Sequence, residues 1–209
     1  MVAIKSPPPI VTPKPVFLKI ATGTTVVRLY NPSLYNAQAL AFRTCGPISR
    51  FDHHRAPYPS CAEDPERGII YGAFALSSCI VEVFGDRKVI EVGTWQVAAL
   101  NTTRLLTLLD LRGHGAMRAG TVSAVCKESN RQFSQEWSRY FYENSFIYTN
   151  IDGLAFYNAH NDEETFAFYE RANGAFRCGS KDLQPLRHNS LRTAIQEIAI
   201  TNNLRVEPY

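Results

Sequence analysis

No apolar run in the 209-residue sequence reaches the roughly 18 residues that a membrane-spanning helix needs, and the opening "MVAIKSPPPIVTPKP" lacks the apolar core of a secretory signal. A cytoplasmic location is the expectation. There is no CxxC pair: Cys45, Cys61, Cys79, Cys126 and Cys178 are odd in number and widely spaced, which predicts reduced thiols rather than a zinc site or a disulfide framework. GxGxxG, GxxxxGK followed by Ser or Thr, GxSxG and HExxH are all missing, which removes most nucleotide-phosphate and hydrolase readings. Nor is there a basic block. The 22 Lys and Arg residues are scattered and the net charge is only +3, which argues against a dedicated nucleic-acid module.

What the chain does have is enough apolar material, 45% hydrophobic residues, to build the core of one domain. Five prolines fall in the first fifteen residues, so residues 1–15 are expected to form an extended arm that lies on the surface or engages a partner, with residues 16–209 forming the domain. "TTVVRLY" and "GIIYGAF" predict strands, and Leu40 to Glu66, rich in proline and charge, predicts a long loop. "ALSSCIVEVFG" predicts a helix capped by Ser77 or Ser78, while "TTRLLTLLDL" is apolar but of undecided type. "RQFSQEWSRYFYEN" spaces Phe133, Trp137 and Phe141 four apart, as one face of a helix does. "DGLAFYNAHNDEETFAFYERA" alternates on both sides of a polar centre and predicts a β-hairpin. "SLRTAIQEIAITNN" predicts a closing helix behind a Ser190 cap, with Leu191, Ile195 and Ile198 on one face. This mixed order predicts an α+β fold with an antiparallel β-sheet flanked by helices, not a doubly wound one.

Several polar residues sit in apolar settings: Arg28 in "VVRLY", Arg50 in "SRFD", Tyr71 in "IIYGA", Glu82 in "IVEVF" and Asn158 in "AFYNA". Each alone has a plain structural explanation, such as an outward-facing edge residue or a satisfied core hydroxyl. A buried charge is costly unless paired, so at least one Arg–Glu partnership is expected among them. Asp52, His53 and His54 in "FDHHR" are metal-ligand types, but adjacent residues rarely converge on one ion, and no metal is expected.

Arg28 in a first strand, "GPISRFDHH", "GIIYGAFALSSCIVEVFGD" with Tyr71 eleven residues before Glu82, and then the "DGLAFYNAHNDEETFAFYERA" hairpin together resemble the RES domain family. The resemblance runs from about Val26 to Ala172 and implies an ADP-ribosyltransferase-like fold. It further implies a toxin of a toxin–antitoxin pair that degrades NAD⁺ by hydrolysis or phosphorolysis, with NAD⁺ and inorganic phosphate as reactants and no prosthetic group. The implied partner is an Xre-type antitoxin in a hetero-oligomer, with no membrane and no direct nucleic-acid contact. Carried over residue by residue, Glu82 and Arg28 are the expected catalytic residues, and Arg50, Tyr71, Asn158 and Ser78 the expected substrate-binding residues. Asn158 stands where the family usually has serine, and an amide both donates and accepts as a hydroxyl does.

These roles make chemical sense. Breaking the nicotinamide–ribose bond builds positive charge on the ribose, which a carboxylate stabilises. A pyrophosphate is matched by planar guanidinium groups, and a tyrosine ring packs nicotinamide or ribose. Two other functions share such a pocket: a protein mono-ADP-ribosyltransferase and a degenerate, non-enzymatic nucleotide-binding domain. The residue two before Glu82 is Ile80, where mono-ADP-ribosyltransferases commonly carry Glu or Gln.

Overall fold

The computed structural model describes residues 2–208. Its elements confirm an α+β chain with multiple antiparallel pairings and five α-helices among the described residues. One sheet has the order Phe17–Ile20, Leu106–Asp110, Gly153–Tyr157, Glu164–Tyr169, Ile69–Gly72. All its neighbours are antiparallel except Leu106–Asp110 with Gly153–Tyr157, a parallel pair at the point where the chain crosses over through the Arg131–Glu143 helix. The undecided "TTRLLTLLDL" run is therefore a central strand. Leu106, Leu108 and Leu109 are fully buried, as the continuous apolar run of a strand covered on both faces requires.

A second sheet is built around Gln96–Thr102, a strand the sequence reading did not identify. Thr25–Tyr30, Phe176–Arg177 and Leu183–Pro185 all pair with it. Along Thr25–Tyr30, Val26 and Arg28 occupy alternate positions and are both buried, so period-two geometry aims the Arg28 guanidinium inward with the core residues. The two sheets touch where Val27 bridges Ala73. A Cβ on Gly72 would lie 2.8 Å from Val26 Cγ1 and 2.9 Å from the Val27 carbonyl oxygen, so only glycine permits this approach.

The helix after that strand, Leu76–Phe84, buries Cys79, Ile80, Val81 and Phe84. Ile80 and Phe84 pack with Ile90, Val92, Leu186, Ile195 and Ala199, so the closing Arg192–Thr201 helix backs this one. Neither serine caps where expected. The N-cap is Ala75, and Ser77 and Ser78 lie inside the first turn, where their hydroxyls reach across to the hairpin instead. Ser190 likewise falls in a short 3-10 turn, and Leu191 is the N-cap of the last helix. The Leu40 to Glu66 region is irregular apart from a small antiparallel pair, Cys45–Gly46 with Ala62–Glu63, and a bridge from Arg43 to Ile69. The described residues of the proline arm form no helix or strand and lie across the Arg131–Glu143 helix and the short helix Gly115–Arg118. Trp137 Nε1 donates to the Lys5 carbonyl at 2.8 Å, and the Lys14 amide to that of Arg118 at 2.8 Å. Among the described residues, no helix is long and apolar enough to cross a membrane.

Candidate active site

The junction of the two sheets opens into a cavity of about 320 Å³. The Thr25–Tyr30 strand contributes Arg28 and Tyr30; the following loop contributes Tyr35 and Arg43. Ser49 and Arg50 come from the long loop, Tyr71 from the sheet edge, Glu82 from the helix, and Arg131 from the start of the long helix. Four arginines and one carboxylate thus line the cavity. A smaller recess lined by Tyr71, Cys79, Glu82 and Thr165 adjoins it.

Arg28 is the most confined of these cations. Its Nη2 donates to the Ala41 carbonyl at 3.3 Å, its guanidinium lies over the Tyr30 ring at 5.7 Å, and its Nη1 is buried with no partner. Burial lowers its pKa to about 10, Arg43 adding to the effect and Tyr30 opposing it, so it remains charged at neutral pH. Arg50 and Arg131 give N–H groups only to backbone carbonyls, those of Glu128 and Ile48. Arg43, by contrast, is neutralised by Asp52.

Glu82 is half-buried, and its Oε2 has no hydrogen-bond partner. Burial pushes its carboxyl up to about 7; Arg50 and Arg131 pull it down and Asp86 pushes it further up. The expected Arg–Glu partnership is therefore a matter of facing charges in one cavity, not a closed ion pair. Both Arg28 and Glu82 keep an unsatisfied polar atom, which is costly in a finished core and appropriate where a ligand completes the bonding.

Tyr71 is fixed from behind. Its hydroxyl donates to Asp52 Oδ1 at 2.9 Å and accepts from the Phe51 amide at 3.1 Å. Burial holds its phenol well above the ordinary value, so it is neutral. Asp52 also accepts from Arg43 Nη2 at 2.9 and 2.7 Å and from the Ile48 and Ser49 amides at 2.6 and 2.8 Å. The "FDHHR" residues diverge: His53 Nε2 meets Glu170 at 2.9 Å, and His54 Nε2 faces the Arg43 carbonyl at 3.2 Å. Among the described residues, no group of three His, Cys, Asp or Glu is placed to hold a metal ion.

Asn158 and Ser78, expected at the substrate, do not line the cavity. Asn158 is fully buried at the hairpin turn, where its Oδ1 accepts from the His160 and Asn161 amides at 3.0 and 2.9 Å. Its Nδ2 donates to Asn161 Oδ1 at 2.8 Å. The Ser78 hydroxyl bonds to the Glu164 carbonyl and lies 2.8 Å from Thr165 Oγ1, tying the Glu82 helix to the hairpin. Arg43, Asp52 and Arg131 were not anticipated at the site, since their convergence depends on contacts between distant segments.

The sequence matches the RES domain over residues 33–199, and the chain belongs to the RES domain family. The match begins just after Arg28. In fold, the protein is similar to a chain in the crystal structure of the M. tuberculosis MbcT–MbcA toxin–antitoxin complex, with a TM-score of 0.52 and 14% identity over 87% of this chain and 92% of that one. No curated protein matches the sequence.

Proposed function

We propose that the protein is a toxin that degrades NAD⁺ by cleaving its nicotinamide–ribose bond, and that a cognate antitoxin silences it. The observation that carries this reading is the unpaired Arg28 Nη1 and the unpaired, elevated Glu82 carboxylate in one cavity. Membership of the RES family and the fold likeness to a chain from a toxin–antitoxin complex support it.

In this mechanism Arg28 and Arg50 take the pyrophosphate oxygens, where fork-shaped donors suit phosphate geometry. Tyr71, held in place by Asp52, packs the nicotinamide riboside end. Glu82 accepts from a ribose hydroxyl and stabilises the positive charge as the C–N bond breaks and its electron pair leaves with nicotinamide. Water or inorganic phosphate then bonds to the ribose carbon, giving ADP-ribose and a proton, or ADP-ribose 1″-phosphate. Ser78 and Asn158 act behind this set by fixing the Glu82 helix to the hairpin. Transfer of ADP-ribose to a protein is less well supported, because Ile80 is fully buried and the helix offers no polar side chain two residues before Glu82.

Incubation of the purified protein with NAD⁺, with and without phosphate, tests the reading. Release of nicotinamide is expected, and the second product distinguishes hydrolysis from phosphorolysis. Intact NAD⁺ in both conditions, together with normal growth of cells expressing the protein, overturns it.

A further inference from the structure

Two of the five cysteines are placed as a pair. The strands Cys45–Gly46 and Ala62–Glu63 run antiparallel with Cys45 opposite Glu63 and Gly46 opposite Ala62, which brings Cys61 back to the Cys45 edge. Their sulfurs lie 2.6 Å apart although the residues are 16 positions apart in sequence. Cys61 is exposed and Cys45 half-buried, whereas Cys79 and Cys126 are buried and the Cys178 sulfur faces the Gly179 carbonyl. The enclosed segment carries Ser49 and Arg50, which line the cavity, and Asp52, which positions Tyr71. The Cys45 carbonyl itself accepts from Arg43, the partner of Asp52.

We propose that Cys45 and Cys61 are a redox modification site, at which a peroxide-class oxidant closes an intrachain disulfide across the base of this loop. The exposed Cys61 thiolate attacks a peroxide oxygen, breaking the O–O bond and becoming a sulfenic acid as water is released. Cys45 sulfur then attacks the Cys61 sulfur and displaces hydroxide, which leaves as water with the Cys45 proton. Two thiols and hydrogen peroxide thus yield one disulfide and two waters, the sulfurs supplying both electrons. Hydrogen bonding to Cys61 holds the Cys45 thiol up at about 11, which keeps Cys45 protonated and leaves the first attack on peroxide to the exposed Cys61. In a reducing compartment such a bond is transient, and dithiols reverse it.

The site does not depend on the proposed reaction. The sulfurs already touch, so the bond leaves the native backbone in place and acts by restricting the unfolded chain; a rise of about 5 °C in the thermal midpoint is expected. The reduced full-length protein is treated with hydrogen peroxide, and thiols are counted after denaturation. Loss of two thiols with a mass decrease of two hydrogens, a peptide joining Cys45 to Cys61, and reversal by dithiothreitol are the expected results. Cys61→Ser, at an exposed position, abolishes the linked peptide and the shift in midpoint. Five unreacted thiols, a link between other cysteines, or Cys61 oxidised further without a link each overturn the proposal.

Discussion

Tyr71 donates its hydroxyl to Asp52 at 2.9 Å, while the same carboxylate neutralises Arg43. A tyrosine and an arginine that both line the cavity are thus fixed by one fully buried carboxylate, which itself lies outside the cavity lining. Asp52→Ala removes all of these acceptors and leaves the Arg43 guanidinium without a counter-charge. A loss of about 3 kcal/mol in urea unfolding is expected, within the range for breaking one side of a buried pair. Asp52→Asn retains an acceptor and costs less. In the Asn variant the NAD⁺ reaction loses kcat more than KM, because Tyr71 is misplaced while Arg28 and Arg50 remain.

The Asp52 network shows where sequence reading stops. The hairpin, the long helix and the strand bearing Arg28 were legible because each has a local period. Gln96–Thr102 was not, since two alanines and an asparagine dilute its β-character, and its burial of Ala98, Leu100 and Thr102 follows from the strands on either side. Glu82, Arg28, Arg50 and Tyr71 were chosen from sequence, and the fold brings all four to one cavity. Asn158 and Ser78 were chosen by the same resemblance and meet where the Glu82 helix packs on the hairpin, outside the cavity lining. Arg43, Asp52 and Arg131 come together only through tertiary contacts, for which no local pattern exists.

Glu82→Gln abolishes turnover in the proposed mechanism and has an opposite effect on stability. The carboxyl titrates near 4.5 when unconstrained and near 7 in the fold, so its protonated form is the one the fold favours. That contribution is fully present below about 4.5 and is lost as pH rises through about 7. Glutamine cannot ionise and escapes the loss. The variant should therefore melt above the parent at about pH 8, and the difference should shrink toward zero in acid. For the parent enzyme, kcat/KM is expected to rise through about pH 7 as Glu82 ionises. A pH-independent difference in melting, or activity retained in the Gln variant, contradicts the assignment.

Arg28→Met keeps the length of the side chain and removes its charge. The parent buries this guanidinium without a carboxylate partner, so an apolar side chain is expected to leave stability equal or raised. Binding should suffer: each charge-assisted hydrogen bond is worth roughly 1.5–3 kcal/mol, which converts to about a tenfold to hundredfold loss of NAD⁺ affinity. Calorimetry on a Glu82→Gln background, where the substrate persists, measures it directly. Unchanged affinity would mean that Arg28 does not meet the pyrophosphate.

Asn158 separates a supporting role from substrate contact. Its amide closes the hairpin turn through the His160 and Asn161 amides and the Asn161 side chain, and its Nδ2 lies 3.4 Å from Ser78 Oγ. Asn158→Ala leaves the part-buried His160 and Asn161 amides without their side-chain acceptor and is expected to cost about 1 kcal/mol in chemical unfolding. Asn158→Ser restores a short acceptor of the kind that local turns use and should recover part of that loss. Because the side chain points into the turn and not the cavity, KM for NAD⁺ should stay within about twofold in the Ser variant, well under the tenfold step that 1.4 kcal/mol of lost binding would produce. A tenfold rise in KM with unchanged stability would instead place Asn158 at the substrate, and with it the end of the hairpin that the Glu82 helix leans on.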